Sequence, residues 1–431
     1  MSSQNPRLPK KRDAPLFFIS AGDPSGDAHA ARLVSALKEK LPASRFIGFA
    51  GPKTAKGHCD VRFDLTKHAA MMLKRALLNL PNYLRLLKSV DSIFREERPD
   101  AVILVDFPGF NWQVAKKAKA AGIPVIYFMP PQIWGWGQWR ARKMRKYVDL
   151  VLACFRFEDQ WFKEQKCNSV FVGHPFFEEE RSKTVDQNFI ETLPNLIHDK
   201  SESDRQLKNR RFLVLLPGSR DQEVIKNASI LMDAAKLVTT SVPDVVPVFA
   251  AFKESQADRI CNELKERDLD YPVFVGKTPE LMRASTCCLS VSGSVSIELL
   301  SLLKPSVIVY RISKIEYFVL RFLKRVKYIT LTNILYVDGL EGETPFYPKG
   351  RLPKTTAHSP EERKLMLFPE FITTDNCSAD ASVHLIEWFA NDESLQRRVE
   401  KMKALKEAND VIESPIEEAS LRIIEFLQSR V

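Results

Sequence analysis

AVILVDFPGFNW, at residues 101–112, is the stretch that decides the fold, because it joins an apolar run to a turn and then to a helical pattern. Five apolar residues precede a single carboxylate, Asp106, and the turn at 107–109 leads into an amphipathic run at 111–121. This order predicts a buried parallel strand that ends at the start of a helix. Ligands of open α/β sheets bind at the carboxyl ends of strands, so Asp106 stands where chemistry usually occurs. The stretch alone is equally consistent with a turn or capping role for Asp106.

Length and composition predict a soluble globular protein of two domains. The chain has 431 residues, more than one hydrophobic core comfortably serves. Its net charge of +10 favours anionic partners, such as nucleic acid, anionic lipid or phosphorylated small molecules. No apolar run approaches the roughly 20 residues of a membrane-spanning helix, and the N-terminus lacks the apolar segment of a secretory signal. Seven scattered cysteines without a CxxC pair indicate reduced thiols, so we expect a cytoplasmic protein.

A second strand-to-helix junction lies near the N-terminus, where AGDPSGD at residues 21–27 follows an apolar run. A glycine-containing loop at a helix start offers free backbone N–H groups and the positive end of the helix dipole, which suits an anion or a sugar. The spacing is not GxGxxG, so a dinucleotide is not indicated. The glycines can equally be turn residues, with Ser25 or Asp27 as the helix cap.

Two other segments of this half are rich in apolar or aromatic residues. Residues 68–94 combine leucines and methionines with four cations, which predicts either a core helix or a helix in a membrane interface. The loop MPPQIWGWGQWR at 129–140 places Trp134 and Trp136 near arginines. Aromatic faces stack on sugars and basic groups hold phosphate, so this loop is a candidate ligand contact.

The alternation of strands and helices resumes at 212–216 after a highly charged segment, and PGSRDQE follows. Gly218 and Ser219 can offer N–H donors at a helix start, and Arg220 can supply a cation for a diphosphate.

A second candidate loop of this half is SGSVSIE at 292–298, where Glu298 lies one helical turn beyond Ser294. There a carboxylate can accept two ribose hydroxyls, or it can simply complement the helix dipole. Each of the two motifs is weak alone. If both motifs follow strands of one sheet, they lie at the same edge of that sheet and together favour a nucleotide site.

Taken in chain order, the motifs resemble those of the lipid-A-disaccharide synthases. The matching segments are AGDPSGD, VDFPGFN, IWGW, FVGHP, LLPGSRDQEV, SGSVSIE, Tyr310-Arg311 and LTNIL. The resemblance implies a GT-B glycosyltransferase, in which two Rossmann-like domains face each other across a cleft. It also implies an inverting reaction that transfers 2,3-diacylglucosamine from its UDP derivative to the 6-hydroxyl of 2,3-diacylglucosamine 1-phosphate. The products would be the β-1,6 disaccharide 1-phosphate and UDP.

The resemblance implies a role for each site residue. Asp106 is expected to be the general base, and Asp23 is expected to share or assist that role. The expected acceptor contacts are Ser25, Asp27, Trp134 and Trp136. The residues expected to bind the UDP donor are Gly218, Ser219, Arg220, Glu223, Ser294, Glu298, Tyr310, Arg311 and Asn333. No metal or other cofactor is expected, since the single D-x-D sequence, at 268–270, does not follow a predicted strand.

The implied substrates carry acyl chains, so we expect a peripheral enzyme on the cytoplasmic face of the inner membrane. Residues 68–94 are then expected to contact phospholipid, and the cationic amphipathic run at 315–327 either does so too or is a surface helix. Nucleic acid is not an expected partner, because the positive charge is dispersed and no nucleic-acid motif occurs. The predicted parts are an N-terminal extension (1–14), an acceptor domain (15–180), a linker region (181–211), a donor domain (212–375) with an irregular excursion (338–369), and closing helices (376–431).

Several positions depart from the family pattern. Asp23 stands where Glu is usual, Arg156 replaces a usual proline, and residues 338–369 have the character of an insertion. These departures leave the acyl-chain preference open. The alternative functions are another GT-B UDP-sugar enzyme, either an N-acetylglucosaminyltransferase or an epimerase, and a catalytically silent protein that binds a UDP-sugar or a lipid.

Overall fold

The computed structural model describes residues 14–67, 80–197, 210–291, 293, 295–347 and 358–430. The chain forms two compact units, Met1–Pro175 with Ile412–Val431 and Phe176–Val411. The division lies a few residues before the predicted end of the first domain at 180, and the last helix returns to the first unit. In the described part of the chain, no helix is both long enough and apolar enough to cross a membrane.

The first unit is built on a seven-stranded parallel sheet in the order β3-β2-β1-β4-β5-β6-β7. Its strands are β1 (Leu16–Ala21), β2 (Arg45–Ala50), β3 (Cys59–Asp64), β4 (Ala101–Val105), β5 (Val125–Phe128), β6 (Leu150–Ala153) and β7 (Ser169–Phe171). Its helices are α1 (Pro24–Lys40), α2 (Pro52–Lys56), α3 (Leu80–Glu96), α4 (Pro108–Ala120), α5 (Ile133–Trp136), α6 (Ala141–Tyr147), α7 (Arg156–Glu164) and the C-terminal helix Pro415–Gln428. β1 and β4 are buried along their whole length, as their continuous apolar runs predict.

The second unit contains a six-stranded parallel sheet in the order β10-β9-β8-β11-β12-β13. Its strands are β8 (Arg211–Leu216), β9 (Val245–Ala251), β10 (Val273–Val275), β11 (Cys287–Val291), β12 (Ser306–Arg311) and β13 (Glu370–Thr373). Its helices are α8 (Pro175–Ser182), which begins at the division, α9 (Gln187–Leu196), α10 (Asp221–Ser241), α11 (Glu254–Glu266), α12 (Thr278–Ala284), α13 (Val295–Ser301), α14 (Lys314–Leu323), α15 (Leu331–Gly339), α16 (Pro360–Leu365), α17 (Ser378–Ala390) and α18 (Asp392–Asn409). The C-terminal helix of the first unit is then α19.

Both sheets change direction of winding beside their first strand. β1 lies between β2 and β4, and β8 lies between β9 and β11, so each sheet has a topological switch point there. Ligands of open α/β sheets bind in the crevice outside the strand ends at such points. The predicted α/β class with two parallel sheets is confirmed.

The two segments predicted to lie at a membrane differ in their burial. Residues 68–79 lie outside the described part, and the rest of the first segment is α3. Leu86, Val90 and Phe94 of α3 are buried in the first unit, so one face of this part packs in the core, whereas Leu84 is 48% exposed and the membrane contact stays a prediction. On α14, by contrast, Ile315 and Phe318 are exposed.

Candidate active site

Asp106 directly follows β4, beside the end of β1. The pairing of Ala21 with Val105 makes the ends of these two strands neighbours. The loop after β1, which contains Asp23, therefore lies beside the loop after β4. Both belong to the switch point of the first sheet.

The backbone at Asp106 is held in a conformation that ordinary residues rarely adopt. Asp106 has φ 42° and Phe107 has φ 45°, both in the left-handed region. Such conformations cost about 1–3 kcal/mol each and persist when surrounding bonds fix them. The Tyr127 hydroxyl donates to the Asp106 carbonyl oxygen at 2.8 Å, and Asn111 Nδ2 donates to the same oxygen at 2.7 Å. Asn111 is fixed in turn, because the Ser20 hydroxyl donates to its Oδ1 at 2.6 Å.

The Asp106 carboxyl group has a pKa suited to a general base. Burial and, next, the nearby Asp23 carboxylate raise this pKa to about 6, although the Phe107 N–H and His29 act in the opposite direction. A base works best when its pKa lies near the operating pH, since it is then ionised and still able to accept a proton.

Asp23 and Gly22 join the first loop to the Asp106 loop. Asp23 is the N-cap of α1 and accepts a hydrogen bond from the Gly26 N–H at 2.7 Å. A Cβ atom on Gly22 would lie 2.1 Å from Cδ1 of the Phe107 ring, so only glycine fits there without movement. The two motifs that the sequence singles out are therefore packed directly against each other.

Ser25 and Asp27 of the same loop have different surroundings. Ser25 is exposed, with its hydroxyl 3.4 Å from His29 Nε2. Asp27 is only 2% exposed, and its carboxylate accepts from the backbone N–H groups of Gly51, Lys53 and Thr54 at 2.8–3.1 Å. Both carboxylate oxygens therefore cap α2, and the acceptor contact of Asp27 stays a prediction.

The tryptophan loop also mixes internal and accessible side chains. Trp134 is buried, donates from Nε1 to Glu158 Oε1 at 3.0 Å, and packs edge-on against Phe157. The indole is therefore part of the core, and the acceptor contact of Trp134 stays a prediction. Trp136 is only partly buried and stays a candidate.

The second unit has a cavity of about 530 Å³ at the carboxyl ends of its strands. A cavity of this volume is large enough for a small-molecule ligand such as a nucleotide. The predicted donor residues that line it are Gly218, Ser219, Arg220, Glu223 and Glu298. The lining residues that sequence reasoning missed are Leu216, Ala250, Phe252, Gly276, Thr278, Pro279, Met282, Val291, Gly293 and Val295.

The loop after β8 is tightly organised around Glu223. The Glu223 carboxylate accepts from the Arg220 backbone N–H at 3.1 Å and from Arg220 Nη1 at 2.9 Å. Gly218 has φ +109°, and a Cβ atom there would lie 2.6 Å from Glu223. The Arg220 side chain is 82% exposed and is thus accessible to an anion at the start of α10.

Glu298 lies in the first turn of α13 and lines the cavity. Burial raises the pKa of its carboxyl group, and the Lys183 ammonium, 3.4 Å from Oε2, acts in the opposite direction. Ser294, predicted to precede this helix as a ligand contact, lies outside the described residues.

Asn333, Tyr310 and Arg311 do not line the cavity. Asn333 is buried, its Nδ2 donates to the Phe368 carbonyl oxygen at 2.7 Å, and its Oδ1 accepts from the Phe368 N–H at 2.9 Å. Its amide thus joins α15 to the segment before β13, and the donor contact of Asn333 stays a prediction. Tyr310 and Arg311 are partly buried at the end of β12.

Phe252, one of the missed residues, is 67% exposed and directly follows β9. Its signal in the sequence is an aromatic residue just after an apolar run, AAFKES at 250–255. Since the ends of parallel strands share one edge of a sheet, the loops after β9 and β10 could have been assigned to the same site as those after β8 and β11.

The chain shares its α/β fold with solved structures that hold UDP or a UDP-sugar. An S. aureus MnaA–UDP co-structure is 12% identical, covers 97% of this chain and 98% of that chain, and has a TM-score of 0.58. UDP-GlcNAc 2-epimerase from Neisseria meningitidis, bound to UDP-GlcNAc, is 13% identical, covers 96% of this chain and 100% of that chain, and has a TM-score of 0.58. At these identities the likeness shows the fold alone.

The sequence comparisons identify the family of the chain. The family model described as lipid-A-disaccharide synthetase matches residues 17–344. The lipid-A-disaccharide synthase of Myxococcus xanthus is 32% identical over 321 residues, which is 74% of this chain and 81% of the relative. That of Nitrosococcus oceani is 30% identical over 339 residues, 77% of this chain and 83% of the relative. The chain belongs to the lipid-A-disaccharide synthetase family, as its ordered motifs predict.

Proposed function

We propose that the protein transfers 2,3-diacylglucosamine from its UDP derivative to the 6-hydroxyl of 2,3-diacylglucosamine 1-phosphate. The products are the β-1,6 disaccharide 1-phosphate and UDP. The observation that carries the proposal is Asp106, a carboxyl group with a pKa of about 6 at the switch point of the first sheet, in a member of this family.

Asp106 is assigned the role of general base. The acceptor 6-hydroxyl attacks the anomeric carbon of the donor, and Asp106 takes the hydroxyl proton as the new C–O bond forms. The bond from the anomeric carbon to UDP breaks on the opposite face, and its electron pair leaves with the diphosphate. With a pKa of about 6, the carboxylate is ionised at neutral pH and remains basic enough to accept the proton.

The donor site is assigned to the cavity of the second unit. Gly218, Ser219 and Arg220 at the start of α10 suit the diphosphate, because a helix N-terminus and a cation both stabilise a leaving anion. Glu298 suits the ribose hydroxyls, and the exposed ring of Phe252 offers a face for the base.

The acceptor and membrane contacts form the remaining part of the proposal. Asp23, Ser25 and Trp136 are the predicted residues of the first unit that keep an accessible or partly accessible side chain. The exposed apolar side chains Ile315 and Phe318 on α14 suit a peripheral contact with the phospholipid of the inner membrane at its cytoplasmic face.

One assay tests the reaction directly. Purified protein is mixed with both substrates in the presence of a chelator, and UDP and disaccharide are followed by mass spectrometry. Equal amounts of the two products support the proposal. UDP binding without disaccharide would instead indicate a silent binding protein, and an epimerised UDP-sugar would indicate an epimerase.

A matched pair of variants tests the base. Asp106→Asn should lose turnover and keep its affinity for UDP, whereas Asp60→Asn, which changes an exposed carboxylate of the same unit, should leave both unchanged. Near-normal turnover of Asp106→Asn would remove the base assignment.

A further inference from the structure

Lys183 directly follows α8 and contacts a residue of the candidate donor site. Its ammonium lies 3.4 Å from Oε2 of Glu298 and 3.5 Å from Oε2 of Glu180. The sequence placed Lys183 in a charged linker region, 115 positions away from Glu298 in the chain. The fold brings it to the edge of the cavity.

The contact with Lys183 engages one of the two oxygens of the Glu298 carboxylate. Oε2 accepts from Lys183, and no hydrogen-bond donor to Oε1 is found among the residues that the structure describes. A carboxylate tied at one oxygen has a defined orientation, and the other oxygen can accept from a ligand in the cavity. Vicinal ribose hydroxyls are donors of the right kind.

The charges around Glu298 give Lys183 a second effect. Burial raises the pKa of Glu298, and the nearby acids Glu180 and Glu179 raise it further, while Lys183 is the cation that opposes them. Glu180 is also paired with Arg283, so the lysine acts inside a small charged network beside the cavity. Arg220 and Glu223 line the same cavity at the start of α10 and bond to each other.

We propose that Lys183 is a positioning residue of the donor site, which holds the Glu298 carboxylate as the acceptor for the ribose hydroxyls of a nucleoside diphosphate. The inference rests on the proposed function, since it takes Glu298 as the ribose contact. Lys183 acts through Glu298 and need not touch the ligand. Without it, Glu298 would lose its orientation and would take up a proton at a higher pH.

Lys183→Gln tests the inference through the affinity for UDP and for 2′-deoxy-UDP, measured by calorimetry. We expect the variant to bind UDP about fivefold more weakly at neutral pH, the effect of losing one partly exposed ion pair. The loss should grow as the pH is lowered, because protonated Glu298 no longer accepts hydrogen bonds from both hydroxyls and the variant lacks the cation that opposes this protonation. The preference for UDP over 2′-deoxy-UDP should shrink, and Lys183→Arg should restore it.

The controls separate this idea from a structural effect and from the donor-site assignment. Lys183 is 33% exposed, so the Gln variant should fold, and in a Glu298→Gln background it should have no further effect on UDP affinity. Unchanged UDP affinity, pH profile and ribose preference in Lys183→Gln would overturn the inference while leaving the donor site intact. Failure of the unmodified protein to bind UDP would overturn the donor site itself.

Discussion

Replacing Asp23 by Asn tests whether the two carboxylates of the first unit act on each other. The pKa of Asp106 is raised to about 6, mainly by burial and next by the charge of Asp23. Asparagine removes the charge but remains a good N-cap, so the bond from the Gly26 N–H and the start of α1 should be kept. The variant therefore isolates the effect of the charge.

The measurable quantity is the acid limb of kcat/KM, which reports the ionisation of the free base. At pH 5, about one unit below the pKa of Asp106, the unmodified protein should keep roughly a tenth of its plateau rate. In Asp23→Asn the pKa of Asp106 should fall, and the limb should move to lower pH. Burial remains the larger cause, so the relative rate at pH 5 should rise several-fold, with roughly tenfold as the upper bound.

The assay is the initial rate of UDP release between about pH 4.5 and 8.5, with each protein normalised to its own plateau. The acceptor phosphate also titrates near pH 6, but it does so equally for both proteins and cancels in the comparison. An acid limb at the same pH in both proteins would refute the coupling. A limb near pH 4 in the unmodified protein would refute the raised pKa and, with it, the base assignment.

Three other substitutions probe the two loops. Asn111→Ala should lower the free energy of unfolding by about 3 kcal/mol and abolish turnover, since it leaves several buried polar groups unpaired; denaturant titration measures the first effect. Gly22→Ala should lower both Tm and kcat, because its Cβ would overlap the Phe107 ring, whereas Gly109→Ala, whose Cβ meets no atom of the described chain within 4 Å, should change neither. Arg220→Ala should weaken UDP binding about 10- to 100-fold in calorimetry and leave Tm unchanged, because the exposed side chain contributes a charge and little packing.

The strand ends could be predicted from the sequence because buried parallel strands consist of short apolar runs. Asp106 was found by its position after such a run, and the loops after β8 and β11 were found in the same way. The same rule applied to β9 would have added Phe252. The position of a residue at the end of a strand depends on its neighbours in the chain, so the local sequence pattern predicts it.

Whether a side chain points into a ligand site or into the protein could not be predicted from these local patterns. Asp27, Trp134 and Asn333 stand inside or beside motifs of the family, yet each satisfies polar groups within the protein. Their partners lie 24 to 35 positions away in the chain, and no spacing rule connects such residues. The role of Lys183 could not be predicted from the sequence for the same reason, because only the fold brings this residue to Glu298.

The return of α19 to the first unit has a consequence for the synthesis of the protein. Ile416, Ala419 and Ile423 share one apolar cluster with Leu33 and Leu37 of α1. A ribosome makes these three residues only after the whole of the second unit. The unit that carries Asp106 thus completes its core only after the second unit has been synthesised. Loss of the last helix should therefore impair the unit built first more than the unit built second.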